Sequence, residues 1–201
     1  MIRILLADDQ ALVRGALAAL LDLETDIEVV AQVGRGDEVV AAARSAQADV
    51  CLLDIEMPGL TGLEVAERLR AELPAVRSLI VTTFGRPGYV RRALDAGAAG
   101  FLVKDTPARE LADAVRRVHA GLRVVDPALA TESLMSGPSP LTTRESEMLL
   151  LAIDGSPVAV IAARAQLSVG TVRNYLSAAI GKTGASTRAE AARVAQSNGW
   201  I

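Results

Sequence analysis

The chain has 201 residues, enough for one large domain or two modest ones, and its 51% hydrophobic content includes only 2% aromatics, so Ala, Val, Leu and Ile must build the cores. A single cysteine excludes an internal disulfide and any cysteine-only metal site; no apolar run is long enough to span a membrane, and the run Ile2–Ala7 is too short for a signal peptide. The formal charge of −3 divides into −3 over residues 1–123, −2 over 124–137 and +2 over 138–201, so the basic excess lies in the last third, the direction expected for nucleic-acid contact. These features predict a soluble, cytoplasmic protein with no membrane partner.

In chain order, five apolar runs recur: Ile2–Ala7, Ile27–Val33, Val50–Leu53, Ser78–Thr82 and Gly100–Val103. They are rich in Val, Ile and Leu and do not alternate with polar residues, as strands buried on both faces should be. Between and after them, Ala/Leu/Arg-rich stretches near 10–23, 36–46, 62–72, 87–96 and 107–120 have helical spacing. Repetition of strand and helix predicts a five-stranded parallel sheet with helices on both faces, a flavodoxin-like α/β domain over residues 1–122. Residues 123–139 contain Asp126-Pro127, Gly137-Pro138 and Ser139-Pro140, turn or breaker pairs that mark a linker, with a short helical piece at 127–134 and no further strand. Residues 140–201 read as an all-α domain of four helices. Thr142-Thr143-Arg144-Glu145 is a capping box, Ser156-Pro157 opens a second helix with Ser156 as N-cap, Ser168 caps a third, and Thr187 or Ser186 a fourth. The tight Ala165–Ser168 connection makes the middle pair a helix-turn-helix.

In a doubly wound sheet the carboxyl ends of the strands share one edge, where ligands bind. The residues that this topology brings there are Asp8, Asp9, Asp54, Thr82 and Lys104. Crowded carboxylates repel, and a hard divalent cation with oxygen ligands relieves them. Mg²⁺ is therefore the expected cofactor, held by Asp9, Asp54 and the backbone carbonyl of Glu56, with Asp8 supporting them from behind. Asp54 is the expected phosphoryl acceptor, Lys104 neutralises charge during transfer, and Thr82 offers a hydroxyl to a phosphoryl oxygen. Glu56 and Phe84, two residues past Asp54 and Thr82, are expected to hinder the attacking water and lengthen the phosphoryl lifetime.

Residues 1–122 resemble the receiver domain of bacterial two-component response regulators through Asp8-Asp9, Asp54 with Met57-Pro58-Gly59, Thr82, Ala96-Gly97-Ala98, Gly100-Phe101 and Lys104. The resemblance implies a sensor histidine kinase as phosphoryl donor and Mg²⁺ dependence. It also implies a switch in which Thr82 moves toward the phosphoryl group and Phe101 turns inward.

Residues 140–201 resemble the LuxR-type helix-turn-helix of the NarL/FixJ regulators through Leu141-Thr142, Arg144-Glu145, Leu167-Ser168, Gly170–Arg173, Lys182, Arg188 and Glu190-Ala191. That resemblance implies promoter DNA as a partner and RNA polymerase as an indirect one. On the helix that begins at Val169, helical spacing turns Val172, Leu176, Ala179 and Ile180 inward and leaves Gly170, Thr171, Arg173, Asn174 and Ser177 for a major groove. Arg173 suits guanine and Asn174 adenine, while Lys182 and Arg188 suit phosphates. With so few cations a monomer should bind DNA weakly, which predicts a phosphorylation-dependent homodimer. Candidate interface residues are Leu12, Leu17, Leu111, Val115 and Val118; His119 is expected at the surface and Cys51 in the core.

Thr82–Tyr89 and Gly199-Trp200-Ile201 look like the DesR-like branch, which implies genes of membrane-lipid desaturation as targets. The expected role is a transcriptional regulator and not an enzyme. The rivals are a receiver that works without phosphorylation and an aspartyl-phosphate phosphatase with Glu56 as its second acid.

Overall fold

Strands β1 (Ile2–Ala7), β2 (Ile27–Val33), β3 (Val50–Leu53), β4 (Arg77–Thr82), β5 (Gly100–Val103) and β6 (Val124–Val125) form one parallel sheet in the order β2-β1-β3-β4-β5-β6. The computed structural model describes residues 1–83, 87–127, 129–131 and 139–201. The intervening helices are α1 (Ala11–Leu21), α2 (Val39–Ser45, after a short 3₁₀ turn at Gly36–Glu38), α3 (Gly62–Glu72), α4 (Pro87–Ala96) and α5 (Ala108–His119). Pleating sends successive side chains to opposite faces. On one face Ile4, Leu6, Leu52, Leu79 and Val81 pack with Ala18 and Leu21 of α1 and Leu111, Val115 and Val118 of α5. Leu5, Cys51, Leu53, Ile80 and Phe101, all buried, take the other face, against which α2 and α3 pack. The inner strands β1, β3, β4 and β5 are thus covered on both sides, which is why they do not alternate in sequence, while β2 at one edge keeps Glu28 and Gln32 exposed.

The sheet has six strands rather than the expected five, and the expected linker starts inside it. Val124 pairs with Gly100 and Val125 with Phe101, and the Val124 amide donates to the Ala99 carbonyl at 3.0 Å. A β-carbon on Gly100 would lie 2.6 Å from the Val124 carbonyl oxygen and 2.7 Å from Leu79 Cδ1, so only glycine admits this edge strand so close. Two residues are too few to show a period, and β6 exists only because β5 offers it an edge. Beyond it, residues 127 and 129–131 are helical, with Asp126 Oδ1 accepting from the Leu129 amide at 3.2 Å. The remaining positions of the helical piece expected at 127–134 lie outside the described residues.

By its internal contacts the chain forms two compact units, one of residues 1–85 and 90–130 and one of residues 131–201 with 86–89. The second unit contains α6 (Thr143–Ala152), α7 (Val158–Ala165), α8 (Val169–Thr183) and α9 (Arg188–Ser197). Its core joins Met148, Leu149, Ile161, Val172, Leu176, Ala179, Ala191 and Ala195. Three expected caps are present. Thr142 accepts from the Glu145 amide while the Glu145 carboxylate accepts from that of Thr142, and the hydroxyls of Ser168 and Thr187 accept from the amides of Thr171 and Glu190. The fourth differs. Pro157, not Ser156, is the N-cap of α7: the Ser156 hydroxyl bonds the Asp154 carboxylate, as its amide does at 2.9 Å, and so serves the preceding turn rather than the helix start. Gln166, in the left-handed conformation at φ 55°, turns the chain between α7 and α8.

Arg116 of α5 ties that helix to the turn before β2. Its Nη2 lies 2.6 Å from Glu24 and 2.7 Å from Asp26, and its Nε donates to Asp26 at 2.8 Å. The Arg116 hydrogen bond holds the Asp26 carboxyl well below its ordinary value of 3.8, at about 2. A value lower in the folded than in the unfolded state gives a contribution that is complete above pH 3.8 and disappears as pH falls toward 2. Arg116→Gln should therefore flatten the acid limb of the stability curve, read as urea midpoints against pH. Both groups are partly exposed to solvent, so the change at neutral pH should be small. Gly100→Val, which forces β6 away, should cost about 1–3 kcal/mol by the same measurement.

Candidate functional site

The carboxyl edge of the sheet collects acids because consecutive strands end at matched heights. Ala7 of β1 lies opposite Leu53 of β3, so Asp8 and Asp54 leave the sheet side by side, and the Asp54 amide donates to the Ala7 carbonyl at 2.9 Å. Thr82 of β4 pairs with Val103 of β5, and the next amide, that of Lys104, donates to the Thr82 carbonyl at 2.7 Å. Asp8, Asp54 and Thr82 are all buried, whereas Asp9 is exposed at the mouth. Carboxylate oxygens of Asp8, Asp9 and Asp54 lie within 4.8 Å of one another. Lys104 Nζ reaches both buried acids, 2.8 Å from Asp8 Oδ2 and 3.3 Å from Asp54 Oδ2.

Burial pushes the Asp54 carboxyl above the usual carboxylate range; the Lys104 ammonium pulls it down and the Asp8 charge pushes it up again. For Lys104, burial opposes the charged form, but its hydrogen bond to Asp8 and the charges of both acids outweigh this and raise it above the ordinary lysine value. One ammonium among three carboxylates leaves the cluster with excess negative charge. The donor set is all hard oxygen, at spacings that one small divalent cation can bridge. The residues fit Mg²⁺.

The segment that follows Asp54 is pinned to the site. The Gly62 amide donates to the Ile55 carbonyl at 3.0 Å, and the Gly36 amide to the Pro58 carbonyl at 3.0 Å. Thr61 and Glu64 close a capping box over the start of α3, with the Thr61 amide donating to Glu64 Oε2 at 2.8 Å. A β-carbon on Gly62 would fall 2.1 Å from the Asp54 carbonyl oxygen, so the helix starts against the acceptor's own backbone only because residue 62 is glycine. Residue type alone gives no sign of this contact, nor of the hydrogen bond from Arg14 Nη1 to the Asp8 carbonyl.

Other expected positions fall as follows. Phe101 is fully buried. The Glu56 side chain is exposed, and Phe84 lies outside the described residues. Cys51 is buried, and burial pushes its thiol up to about 12; His119 is exposed. Of the candidate interface residues, Leu111, Val115 and Val118 are corrected: they are 3%, 0% and 0% exposed and belong to the core of their own unit. Leu17 packs partly against that core, while Leu12 is 86% exposed.

In the second unit α8 presents Gly170, Arg173, Asn174 and Ser177 to solvent and buries Val172, Leu176 and Ala179. Thr171 is half-buried, with its hydroxyl 2.8 Å from that of Ser168. The two cations expected at phosphates have partners within the unit. Lys182 Nζ lies 2.7 Å from Glu145, and its hydrogen bond, with that of the Thr142 amide, holds the Glu145 carboxyl low. Arg188 donates to the carbonyls of Ser156 at 2.9 Å and Gly155 at 3.1 Å, fastening the turn that precedes α7. Among the described residues no helix is long and apolar enough to cross a membrane.

Comparison with known proteins agrees with both halves of this arrangement. Residues 4–116 match the family described as response regulator receiver domain, and residues 139–195 that described as bacterial regulatory proteins, luxR family. The chain is 47% identical over 201 residues to the uncharacterized transcriptional regulatory protein YvfU of Bacillus subtilis, with all of both chains covered. It is 46% identical over 201 residues to the transcriptional regulatory protein DesR of the same organism, again over the full length of both. The crystal structure of the response regulator ChrA, from a heme-sensing two-component system, superimposes with a TM-score of 0.60 at 33% identity, covering 100% of this chain and 98% of that one. The chain belongs to the two-component response regulators of the NarL/FixJ type, transcription regulators that join a receiver domain to a LuxR-type DNA-binding domain.

Proposed function

We propose that Asp54 accepts a phosphoryl group from a histidine of a sensor kinase in a Mg²⁺-dependent reaction, and that this promotes pairing of two chains on promoter DNA. The observation that carries the reading is the placement of Asp54: buried, flanked by Asp8 and Asp9, and 3.3 Å from the Lys104 ammonium. In the transfer an Asp54 carboxylate oxygen forms a bond to phosphorus, and the bond from phosphorus to the histidine nitrogen breaks with its electron pair on the imidazole. Lys104 holds positive charge where the phosphoryl oxygens gather negative charge, and Thr82 offers its hydroxyl to one of them. Asp9, Asp54 and the Glu56 carbonyl would hold Mg²⁺, supported by Asp8; when bound, the ion supplies further neutralisation of the phosphoryl oxygens. Asp54 then stores the group rather than turning over a substrate, and the protein acts as a regulator, not an enzyme. The added charge of about −1.5 to −2 and the new acceptor oxygens bias the Thr82–Phe101 region between two arrangements.

The homodimer is proposed to form through α1 and the turn after it, where Leu12 and Leu20 of the helix and Leu23 of the turn are 86%, 44% and 78% exposed. Two copies place two α8 helices on half-sites about 10 base pairs, or a multiple of that, apart. Gly170, Thr171, Arg173, Asn174 and Ser177 face the bases. Lys182 and Arg188 contact phosphates while keeping or sharing their partners within the unit. The protein works in the cytoplasm, acts on RNA polymerase from the promoter, and controls genes of membrane-lipid desaturation.

Acetyl phosphate with Mg²⁺ should label the wild type, and Asp54→Ala should take up no label and show unphosphorylated DNA affinity. Labelling of the Ala variant to the wild-type extent would place the acceptor elsewhere. With sites selected from a random pool, Arg173→Ala should lose about 1–3 kcal/mol of affinity and relax the preference for guanine at one position of each half-site. Leu12→Asp should keep phosphorylation but remain monomeric in light scattering of the phosphorylated protein; a dimer of unchanged affinity would remove α1 from the interface. Footprints across the genome that avoid lipid-desaturation genes would remove the target assignment alone.

A further inference from the structure

We infer that Arg14 is a positioning residue for the cation site, and that it acts through the peptide unit joining Asp8 to Asp9. The inference rests on the metal reading given above. Every polar group of Asp8 is engaged. Its amide donates to the Val33 carbonyl at 3.2 Å. Its Oδ1 accepts from the Gln10 amide at 2.9 Å, and its Oδ2 lies 2.8 Å from Lys104 Nζ. The last group, its carbonyl, accepts from Arg14 Nη1. Arg14 sits one turn into α1, its own amide donating to the Gln10 carbonyl at 2.9 Å, so the guanidinium folds back and closes the loop that carries the acids.

The Asp8 carbonyl belongs to the rigid plane that also contains the Asp9 amide and ends at the Asp9 α-carbon. Holding that oxygen sets the rotation of the plane, and with it the direction in which Asp9 leaves the chain. This matters because Asp9 is the exposed member of the trio, with no burial to hold its side chain. The guanidinium passes Gly34, just past β2, where a β-carbon would sit in ordinary van der Waals contact, 3.5 Å from Arg14 Nη1 and 4.0 Å from the Asp8 carbonyl oxygen. Arg14, Leu17, Asp8 and Asp54 also line a small cavity of about 10 Å³, room for one water at most. Arg14 thus borders the same space as the two buried acids.

Charge and geometry make opposite predictions for this residue. A cation beside an acidic cluster repels Mg²⁺, so its loss would tighten metal binding if charge were its whole effect. If Arg14 positions Asp9, its loss weakens binding despite the relief of repulsion. The test is calorimetric titration of the full chain with Mg²⁺ alone, for wild type, Arg14→Ala and Arg14→Lys, with circular dichroism to verify folding. Arg14→Ala should bind about 10-fold more weakly, the scale on which groups that orient metal ligands act. Arg14→Lys, which keeps a donor and the charge, should recover part of the loss. Should the Ala variant fail to fold, Arg14→Met replaces it, since it keeps much of the length and removes the donors. Unchanged or tighter binding by the Ala or Met variant overturns the inference, as does a Lys variant no better than either. No binding by wild type overturns the metal reading itself, and this inference with it.

Discussion

Two carboxylates, Asp8 and Asp54, are buried at the ends of adjacent strands with one ammonium, Lys104, between them. Most of the first unit can be understood as the means of holding that arrangement. Charges removed from water are tolerated only when each finds partners of opposite sign or hydrogen-bond donors. Lys104 serves both acids, the Gln10 amide serves Asp8, and the exposed Asp9 adds a further negative charge that the side chains leave unbalanced. A receiver built this way is poised for positive charge to enter. The price of that readiness is the burial, joined by repulsion from Asp8, that raises Asp54 above the ordinary carboxylate range.

The parallel sheet is what makes such crowding possible. All six strands run the same way, so residues far apart in sequence finish at one edge, and the covered faces hold that edge in place through close packing. The glycines at 62 and 100 let backbone approach backbone where any side chain would intrude. One brings the start of α3 against Asp54. The other admits β6 beside Phe101, a residue of the proposed switch. The second unit works differently: its four helices carry few cations, and four of these have partners within the unit, Arg144 with Glu147 and Arg164 with Asp154 among them. Lys182 is paired with Glu145 and Arg188 fastens the turn before α7. Arg173, Asn174 and Ser177, exposed on α8, make up the proposed reading surface.

Much of this was legible in the residues because the signals were local or periodic. The apolar runs gave the first five strands closely, since strands buried on both faces keep charge to their ends, as Arg3 of β1 and Arg77 of β4 do. The caps at Thr142, Ser168 and Thr187 were legible because a hydroxyl before a helix has one physical use there. Ser156 shows the limit of that reasoning. Its hydroxyl is taken by Asp154, a competition within the turn, and the cap moves to Pro157. Leu111, Val115 and Val118 illustrate another limit. A stripe of Leu and Val looks the same whether it faces its own sheet or a second copy, and only packing shows that these three face the sheet.

By itself the sequence determined the order of strands and helices, the set of residues at the carboxyl edge and the inward face of α8. Each of these follows from periodicity and from the fact that strand ends in a parallel sheet converge. Only the tertiary structure decided which groups meet: that Lys104 reaches both Asp8 and Asp54, that Arg14 holds the Asp8 carbonyl, that Val124–Val125 adds a strand, and that Lys182 and Arg188 bind within their own unit. These are contacts between segments distant in the chain or between a side chain and a backbone group. Residue type records that such groups can bond, whereas the fold alone selects the partner.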